Sequence, residues 1–407
     1  AEPFMQKDQY RLASVRRPVH EGILKLPAPG FQMLIWVRIH ALLSPSRARK
    51  KRHEKIAVYT LRSRTEHSRM ILETSTTFTQ PDFELSTGAV LPTLDLAYET
   101  YGTLDANGDN AILMCHGYTN NPHAGGDAMG WAANLLGPGK AIDTEKYFVV
   151  CSNMLGSAYG SSGPASINPA TNKPYGPDFP KYTTLDMIAA QKLLIDSLGV
   201  AQLKAVMGYS YGGHLTYLWG ATYPDRMRAL VPIAGVIERK TTPEDIARIR
   251  GRFVDCAGWN DGHYYGNEDL PGGVREKMIA VRIETLKNYG LGDYLNATVD
   301  DPAKRDKIIH DRAKTWAHQF DANSLSILYE AGVGSKADAA NIKAPLLNAL
   351  ANSDSVVDVK LGQPTVHLLK SHGVDATFHE IDTPYGHTGP MLDAHVWVDA
   401  LRTFLDR

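Results

Sequence analysis

Gly208-Tyr209-Ser210-Tyr211-Gly212 is the stretch that decides the fold of this chain. It follows Leu203-Lys204-Ala205-Val206-Met207, which reads as a short buried strand, and precedes Gly213 to Tyr223, which reads as a helix ended by Pro224. A serine on so sharp a strand-to-helix turn is pushed into strained backbone geometry, and a Cβ at either flanking glycine would clash. The hydroxyl is thereby presented to a substrate, with a helix N-terminus behind it. Gly-x-Ser-x-Gly alone is a weak signal. Strand, turn and helix in that order make Ser210 a candidate nucleophile.

Outward from this turn, strand-like and helix-like runs alternate. Leu94 to Tyr101 alternates apolar and polar residues, as a half-buried strand does. Ala111 to Cys115, Tyr147 to Cys151 and Ala229 to Ala234 are continuous apolar runs, expected of strands buried on both faces. Thr184 to Leu198 reads as a helix with Thr183 or Thr184 as cap, Asp186 in its first turn and Gly199 after its end. Residues 237–340 break the pattern: they are richly charged, helical in texture, and contain no clear buried strand. Alternation resumes with strands at Pro345 to Leu350 and Ala376 to Ile381, then a helix from about Pro390 to Leu405. The expectation is a mostly parallel sheet with helices on both faces, built from residues 70–236 and 341–407. The insertion 237–340 is too long for a loop and reads as a helical cap over the active face.

Serine needs a base, and the base needs an orienting carboxylate. In a doubly wound sheet these come from loops at the carboxyl ends of later strands. The loop after Leu350 carries Asp354, with Asp358 as the alternative, and the loop after Asp382 carries Gly386-His387. The order Ser210, Asp354, His387 is that of an α/β-hydrolase triad, which leads to an expected eight-stranded sheet. His379 lies within a strand and reads as structural; His214 could line the pocket without a catalytic role. An oxyanion needs backbone N–H donors, assigned here to Tyr211 and to Tyr118 in the loop after residues 111–115, with Gly117 next. His116 reads as a turn residue holding that loop. Neither H-E-x-x-H nor Cys-x-x-Cys occurs, so no metal and no cofactor is expected.

Charge is balanced overall, 43 Lys and Arg against 44 Asp and Glu, which argues against nucleic acid as the main partner. The balance conceals an asymmetry, with 15 basic and 5 acidic residues in 1–69 and 28 and 39 after it. Residues 1–69 contain the run Arg47-Ala48-Arg49-Lys50-Lys51-Arg52 and an apolar stretch, Phe31 to Leu43, that Arg38 and His40 make too short and interrupted for a membrane span. We read this part as a disordered or non-native extension with no role in the chemistry, and Met70 as a candidate natural start. Cys115 and Cys151 end apolar runs and, with Cys256, read as thiols rather than a disulfide framework, which suits the cytoplasm.

Gly160-Ser161-Ser162-Gly163-Pro164-Ala165-Ser166-Ile167-Asn168-Pro169, continuing through Lys173 to Pro180, and the tract Trp259-Asn260-Asp261-Gly262-His263-Tyr264-Tyr265 make the chain resemble the homoserine O-acetyltransferase family over roughly residues 80–405. The resemblance implies an acyl-enzyme on Ser210, His387 as base, Asp354 as orienter, ping-pong transfer, and a homodimer through the cap. It places the family's amino-acid-binding arginine on Arg250. Three departures stand out. The elbow carries Tyr209 and Tyr211 where the family usually reads Gly-Gly-Ser-Met-Gly-Gly; Thr388 occupies the place of an aspartate that serves the substrate's amino group; and the cap arginine is preceded by Ile246-Ala247-Arg248-Ile249. Losing that carboxylate removes a charge-assisted contact worth roughly 1.5–3 kcal/mol. The residues expected to meet substrate are thus Gly117, Tyr209, Arg250 and Thr388. The expected activity is hydrolysis of short-chain, acetyl-type carboxylic esters. The alternative is an O-acetyltransferase drawing on acetyl-CoA and an alcohol acceptor, and a third reading is a non-catalytic binding module on the same fold.

Overall fold

Alternate side chains of the central strands enter two separate apolar cores, the signature of a sheet covered on both faces. Ala111, Leu113 and Cys115 join one core, and Ile112 and Met114 the other. The computed structural model describes residues 75–407; the expectations for residues 1–69 lie outside them. The strands are β1 (Thr76–Glu84), β2 (Val90–Tyr101), β3 (Ala111–Cys115), β4 (Phe148–Ser152), a two-residue pair β5 (Ile167–Asn168) and β6 (Lys173–Pro174), β7 (Ala205–Tyr209), β8 (Leu230–Ile233), β9 (Leu346–Ala351) and β10 (Ala376–Ile381). Eight of them form one sheet in the order β1-β2-β4-β3-β7-β8-β9-β10. The pairs β1·β2 and β2·β4 are antiparallel, and the rest of the sheet is parallel. This is the expected α/β-hydrolase fold, with β1 now supplying a strand the sequence reading did not single out.

Helices α1 (Thr184–Ser197) and α2 (Tyr211–Thr222) follow, then, between β8 and β9, α3 (Pro243–Gly251), α4 (Val274–Asn288), α5 (Leu291–Thr298), α6 (Pro302–Gln319) and α7 (Ala322–Glu330). The C-terminal part holds α8 (Gly362–Ser371), α9 (Gly389–Leu392) and α10 (Val398–Leu405). The single terminal helix expected from Pro390 to Leu405 is therefore broken, because Trp397, at φ −140°, leaves the helical region between α9 and α10. Helix α1 starts on a capping box in which the Thr183 hydroxyl accepts from the Leu185 amide and the Asp186 carboxylate accepts from the Thr183 amide. Asp186 also accepts from the amide and hydroxyl of Ser86, which ties the helix to the β1–β2 turn.

Strand order reverses at β3, whose neighbours are β4 on one side and β7 on the other. Ligands of open α/β sheets bind beyond the carboxyl ends of the strands at such a switch point. The loop after β3 and the turn after β7 both emerge there. Cys115 and Cys151 are buried free thiols on the adjacent strands β3 and β4. Among the described residues no helix is long and apolar enough to cross a membrane, and no group of three or more His, Cys, Asp or Glu side chains could hold a metal.

Candidate active site

Ser210 sits between β7 and α2 at φ 58°, ψ −114°, a left-handed backbone that a non-glycine residue holds only under constraint. The constraint is visible. Its amide donates to the Ile233 carbonyl of β8 at 2.8 Å. A Cβ on Gly208 would lie 2.0 Å from the Gly212 carbonyl oxygen, and one on Gly212 would lie 2.0 Å from the Cys115 carbonyl oxygen. Both glycines are therefore required so that strand, helix and the loop after β3 can approach one another.

His387 is 1% exposed, and its two ring nitrogens face different partners. Nε2 lies 2.8 Å from the Ser210 hydroxyl, and Nδ1 lies 2.7 Å from Oδ2 of Asp354. The other carboxylate oxygen of Asp354 accepts from the amides of Val356 and Val357 at 2.7 and 3.1 Å. Asp354 thus closes an Asx turn and holds the imidazole at once. Asp358 instead accepts from the Lys360 amide at a helix start. With Nδ1–H donated to the carboxylate, the Nε2 lone pair is left for the serine proton.

The amides of Tyr118 and Tyr211 donate to no other described group. Their phenols are committed: Tyr118 donates to the Leu325 carbonyl and Tyr211 to the Leu328 carbonyl, at 2.8 Å for the latter. Both tyrosines on this rim are thereby pinned to α7, and their rings stack at 6.2 Å. His116 is buried, with its ring between the Gly117 carbonyl at 2.7 Å and the Asn153 side chain at 2.9 Å; burial pushes it down to about 4, so it is neutral. It holds the loop, as expected.

Several expected substrate contacts are placed elsewhere. Tyr209 is buried beneath the site, donates to the His387 carbonyl at 2.8 Å and packs against its ring, so it supports His387 and is not on a surface open to a ligand. Gly117 leaves room for that ring, since its Cβ would come 3.1 Å from Tyr209. The Thr388 hydroxyl lies 3.0 and 3.1 Å from the carbonyls of Tyr289 and Tyr385, which consume its proton. Arg250 reaches Glu330 at 2.8 Å and is half exposed, away from the cavity. In a helix, residues four apart share a face and residues two apart do not; Arg248 and Arg252 line the cavity, and Arg250 between them does not. His214 is buried and takes part in a chain from Thr184 through Ser335 (2.6 Å) to its Nε2 (2.7 Å), while Nδ1 donates to the Val236 carbonyl. It does not line the pocket.

A cavity of about 520 Å³ lies between the loop after β3 and helices α3, α4, α6 and α7. Its walls include Tyr118, Thr119, Arg282, Tyr289, Trp316 and Tyr329. One of these wall residues, Tyr289, also meets the imidazole of His387 edge-on, with centroids 5.0 Å apart; Ser210, Asp354 and His387 themselves are not in the wall. Arg282, Tyr289 and Trp316 escaped the sequence reading. For Arg282 a signal existed: it is the lone charge in Met278-Ile279-Ala280-Val281-Arg282-Ile283.

The α/β-hydrolase fold family model matches residues 110–394. A homoserine O-acetyltransferase of Symbiobacterium thermophilum is 36% identical over 79% of this chain and 91% of its own length. The chain belongs to the homoserine O-acetyltransferase family of α/β-hydrolases. Among solved structures of this fold, esterase E22 superposes with a TM-score of 0.72 at 27% identity, covering 81% of this chain and 99% of that one. The homoserine O-acetyltransferase of Bacillus anthracis gives 0.71 at 26% identity, covering 82% and 97%. This homoserine O-acetyltransferase family member is thus similar both to a transferase and to a hydrolase, and its own residues must decide between them.

Proposed function

We propose that this chain is a serine carboxylic-ester hydrolase acting on short-chain, acetyl-type esters. The observation that carries the reading is the unbroken line Asp354–His387–Ser210, at 2.7 and 2.8 Å, beside two backbone amides that have no other partner. The Ser210 hydroxyl gives its proton to Nε2 of His387 as Oγ attacks the ester carbonyl. The Tyr118 and Tyr211 amides receive the oxyanion. His387 returns the proton to the departing alcohol, leaving an acyl-serine. Water then attacks, its proton passing to His387, and the carboxylic acid leaves with Ser210 restored. The Asp354 carboxylate orients the imidazole and stabilises its protonated form.

Water is favoured over an amino-acid acceptor because the cavity wall offers no unpaired carboxylate for an ammonium group. Its one lining carboxylate, Glu284, is paired with Arg252. Thr388 spends its hydroxyl on backbone carbonyls, and Arg250 spends its charge on Glu330. A second reading, acetyl transfer from acetyl-CoA to an alcohol, is supported by the 36% identity to a homoserine O-acetyltransferase. Purified protein given p-nitrophenyl acetate, and separately acetyl-CoA with homoserine, separates them. Ester turnover without homoserine-dependent CoA release supports the hydrolase, and the reverse outcome overturns it. The cytoplasm, a small-molecule partner and a cap-mediated homodimer remain part of the proposal.

A further inference from the structure

We propose that Arg239 is a positioning residue for the oxyanion: together with α7 it locks the side chains of Tyr118 and Tyr211, and through them the two amides that receive the developing charge. The inference rests on the oxyanion role given to those amides above. Backbone donors help only if they already stand in place when the charge appears. Tyr211 begins α2, but Tyr118 lies in the loop after β3, beside a turn in which the Asn120 amide donates to the Gly117 carbonyl. Neither strand nor helix fixes it there.

One packed unit of side chains does. The Tyr118 phenol donates to the Leu325 carbonyl, and the Tyr211 phenol to the Leu328 carbonyl at 2.8 Å. Leu325 and Leu328 are three apart and share one face of α7. The Leu328 carbonyl is among the last four of that helix, which have no partner within it, so the Tyr211 phenol satisfies it. The two tyrosine rings lie 14° from parallel, and Tyr329 of α7 meets Tyr118 edge-on at 4.9 Å. Arg239 closes the unit. Its guanidinium carbon stands 4.2 Å from the centre of the Tyr211 ring and 5.4 Å from that of Tyr329. The side chain reaches the Thr241 hydroxyl at 3.4 Å, pairs with no carboxylate among the described residues, and leaves Nε buried without a partner. The π faces of two tyrosines are what its charge meets. A cation held this way is costly, and an apolar side chain would fill the space at lower cost, so packing alone does not account for it. Burial pushes the Tyr211 phenol up to about 12, with Arg239 opposing the shift, so the phenol remains a donor at neutral pH. The methionine that the family usually carries in place of Tyr211 has neither the hydroxyl for α7 nor the ring for a cation.

The test uses the full chain with p-nitrophenyl acetate. Rates are divided by the active sites titrated to completion with a fluorophosphonate, so that loss of folded protein does not count. Arg239→Met should lower kcat about tenfold, part of the roughly 10²–10³ that removing an oxyanion donor costs. KM should stay within about threefold of its unmutated value. Tyr211→Phe removes one oxygen and keeps ring and amide; it should fall by a similar factor, and the double variant by less than the product, since both act on one unit. Arg239→Lys keeps a cation over the ring and should recover part of the loss. Trifluoromethyl propyl ketone reports on the oxyanion without turnover. The Ser210 Oγ adds to its carbonyl carbon, the C=O electron pair moves onto oxygen, and the serine proton passes to Nε2 of His387. Its inhibition constant should rise in each variant by the factor that kcat/KM falls. Lys336→Gln breaks an exposed pair with Glu238, one residue before Arg239, and should change neither readout. If Arg239→Met does not fold, Tyr211→Phe carries the test. Unchanged kcat per site in both variants, a ketone constant that does not follow the rate, or an equal loss in Lys336→Gln overturns the proposal. An unmutated protein that transfers acetyl from acetyl-CoA and hydrolyses no ester overturns the hydrolase reading alone. The same variants should then slow acyl transfer by about the same tenfold, because both reactions pass through an oxyanion on Ser210. Absence of both activities overturns both.

Discussion

The Thr388 hydroxyl lies 3.0 Å from the Tyr289 carbonyl oxygen, so the residue after His387 is fastened to the residue that caps the end of α4. The Thr388 amide donates to the same carbonyl at 2.9 Å. On its other side Tyr289 carries the ring that meets His387. The end of α4 and the imidazole are thereby positioned together. Thr388→Val removes one of two donors and should cost about 1 kcal/mol of stability, read as a lower urea midpoint. Ester turnover is expected to fall only a few-fold. An unchanged midpoint would show that the amide suffices.

Replacing Ser210 by Ala should lower turnover by on the order of 10⁴-fold or more, since serine and base act as one unit. Mass spectrometry of the unmutated protein quenched during turnover should find one acyl group on the peptide containing Ser210, and none in the variant. Residual activity near the unmutated level would remove Ser210 from the mechanism.

Asp354→Asn tests a different feature. The asparagine oxygen can still accept from Val356 and Val357, so the loop should persist, while the amide can no longer receive Nδ1–H. We expect turnover roughly 10³–10⁴-fold lower with nearly unchanged stability. A large loss of stability instead would mean that the carboxylate mainly builds the loop.

Gly208→Ala should prevent stable folding. The added methyl would stand 2.0 Å from the Gly212 carbonyl oxygen and 2.6 Å from the Thr216 hydroxyl, neither of which is the end of a flexible chain. A cost above about 3 kcal/mol is expected, checked by the yield of soluble protein and its melting curve. A folded, active Gly208→Ala protein would refute the tight elbow.

Acid should destabilise the protein through buried neutral histidines. Burial pushes His214 down to about 3 and His116 to about 4. An unfolded histidine protonates near 6.5. Below that pH the unfolded chain binds protons that the native chain refuses, so stability falls as pH drops through this range. Each residue should contribute a loss of about 2 kcal/mol by about pH 5. His214→Gln should show a visibly smaller drop in urea midpoint between about pH 7 and about pH 5 than the unmutated chain. An identical drop would remove His214 as a source.

Strands β3, β4 and β7 to β9 were legible because each is a short, largely apolar run, and burial on both faces leaves little alternative composition. The edge strand β1 was not, because Thr76–Glu84 is largely polar and exposed. The final helix was read as continuous because the bend at Trp397 has no glycine or proline to announce it. The three linked side chains could be chosen in advance, since each lies in a loop whose place follows from chain order. The substrate face could not. The family resemblance points to Arg250, but a helix turns about 100° per residue, and the rotation of α3 sends Arg248 and Arg252 into the cavity instead.

Local sequence alone settled the parts of this molecule whose chemistry is local: apolar strands, the glycines at a turn too tight for a Cβ, and the order in which serine, carboxylate and imidazole leave successive strands. The tertiary structure alone decided which polar groups stay unspent. Thr388 and Arg250 find partners, whereas the Nε of Arg282, on a helix more than sixty residues beyond Ser210, is buried with none among the described residues. The reason is physical: a side chain's hydrogen-bonding capacity is written in its residue type, but whether that capacity is already consumed depends on neighbours that only folding brings together.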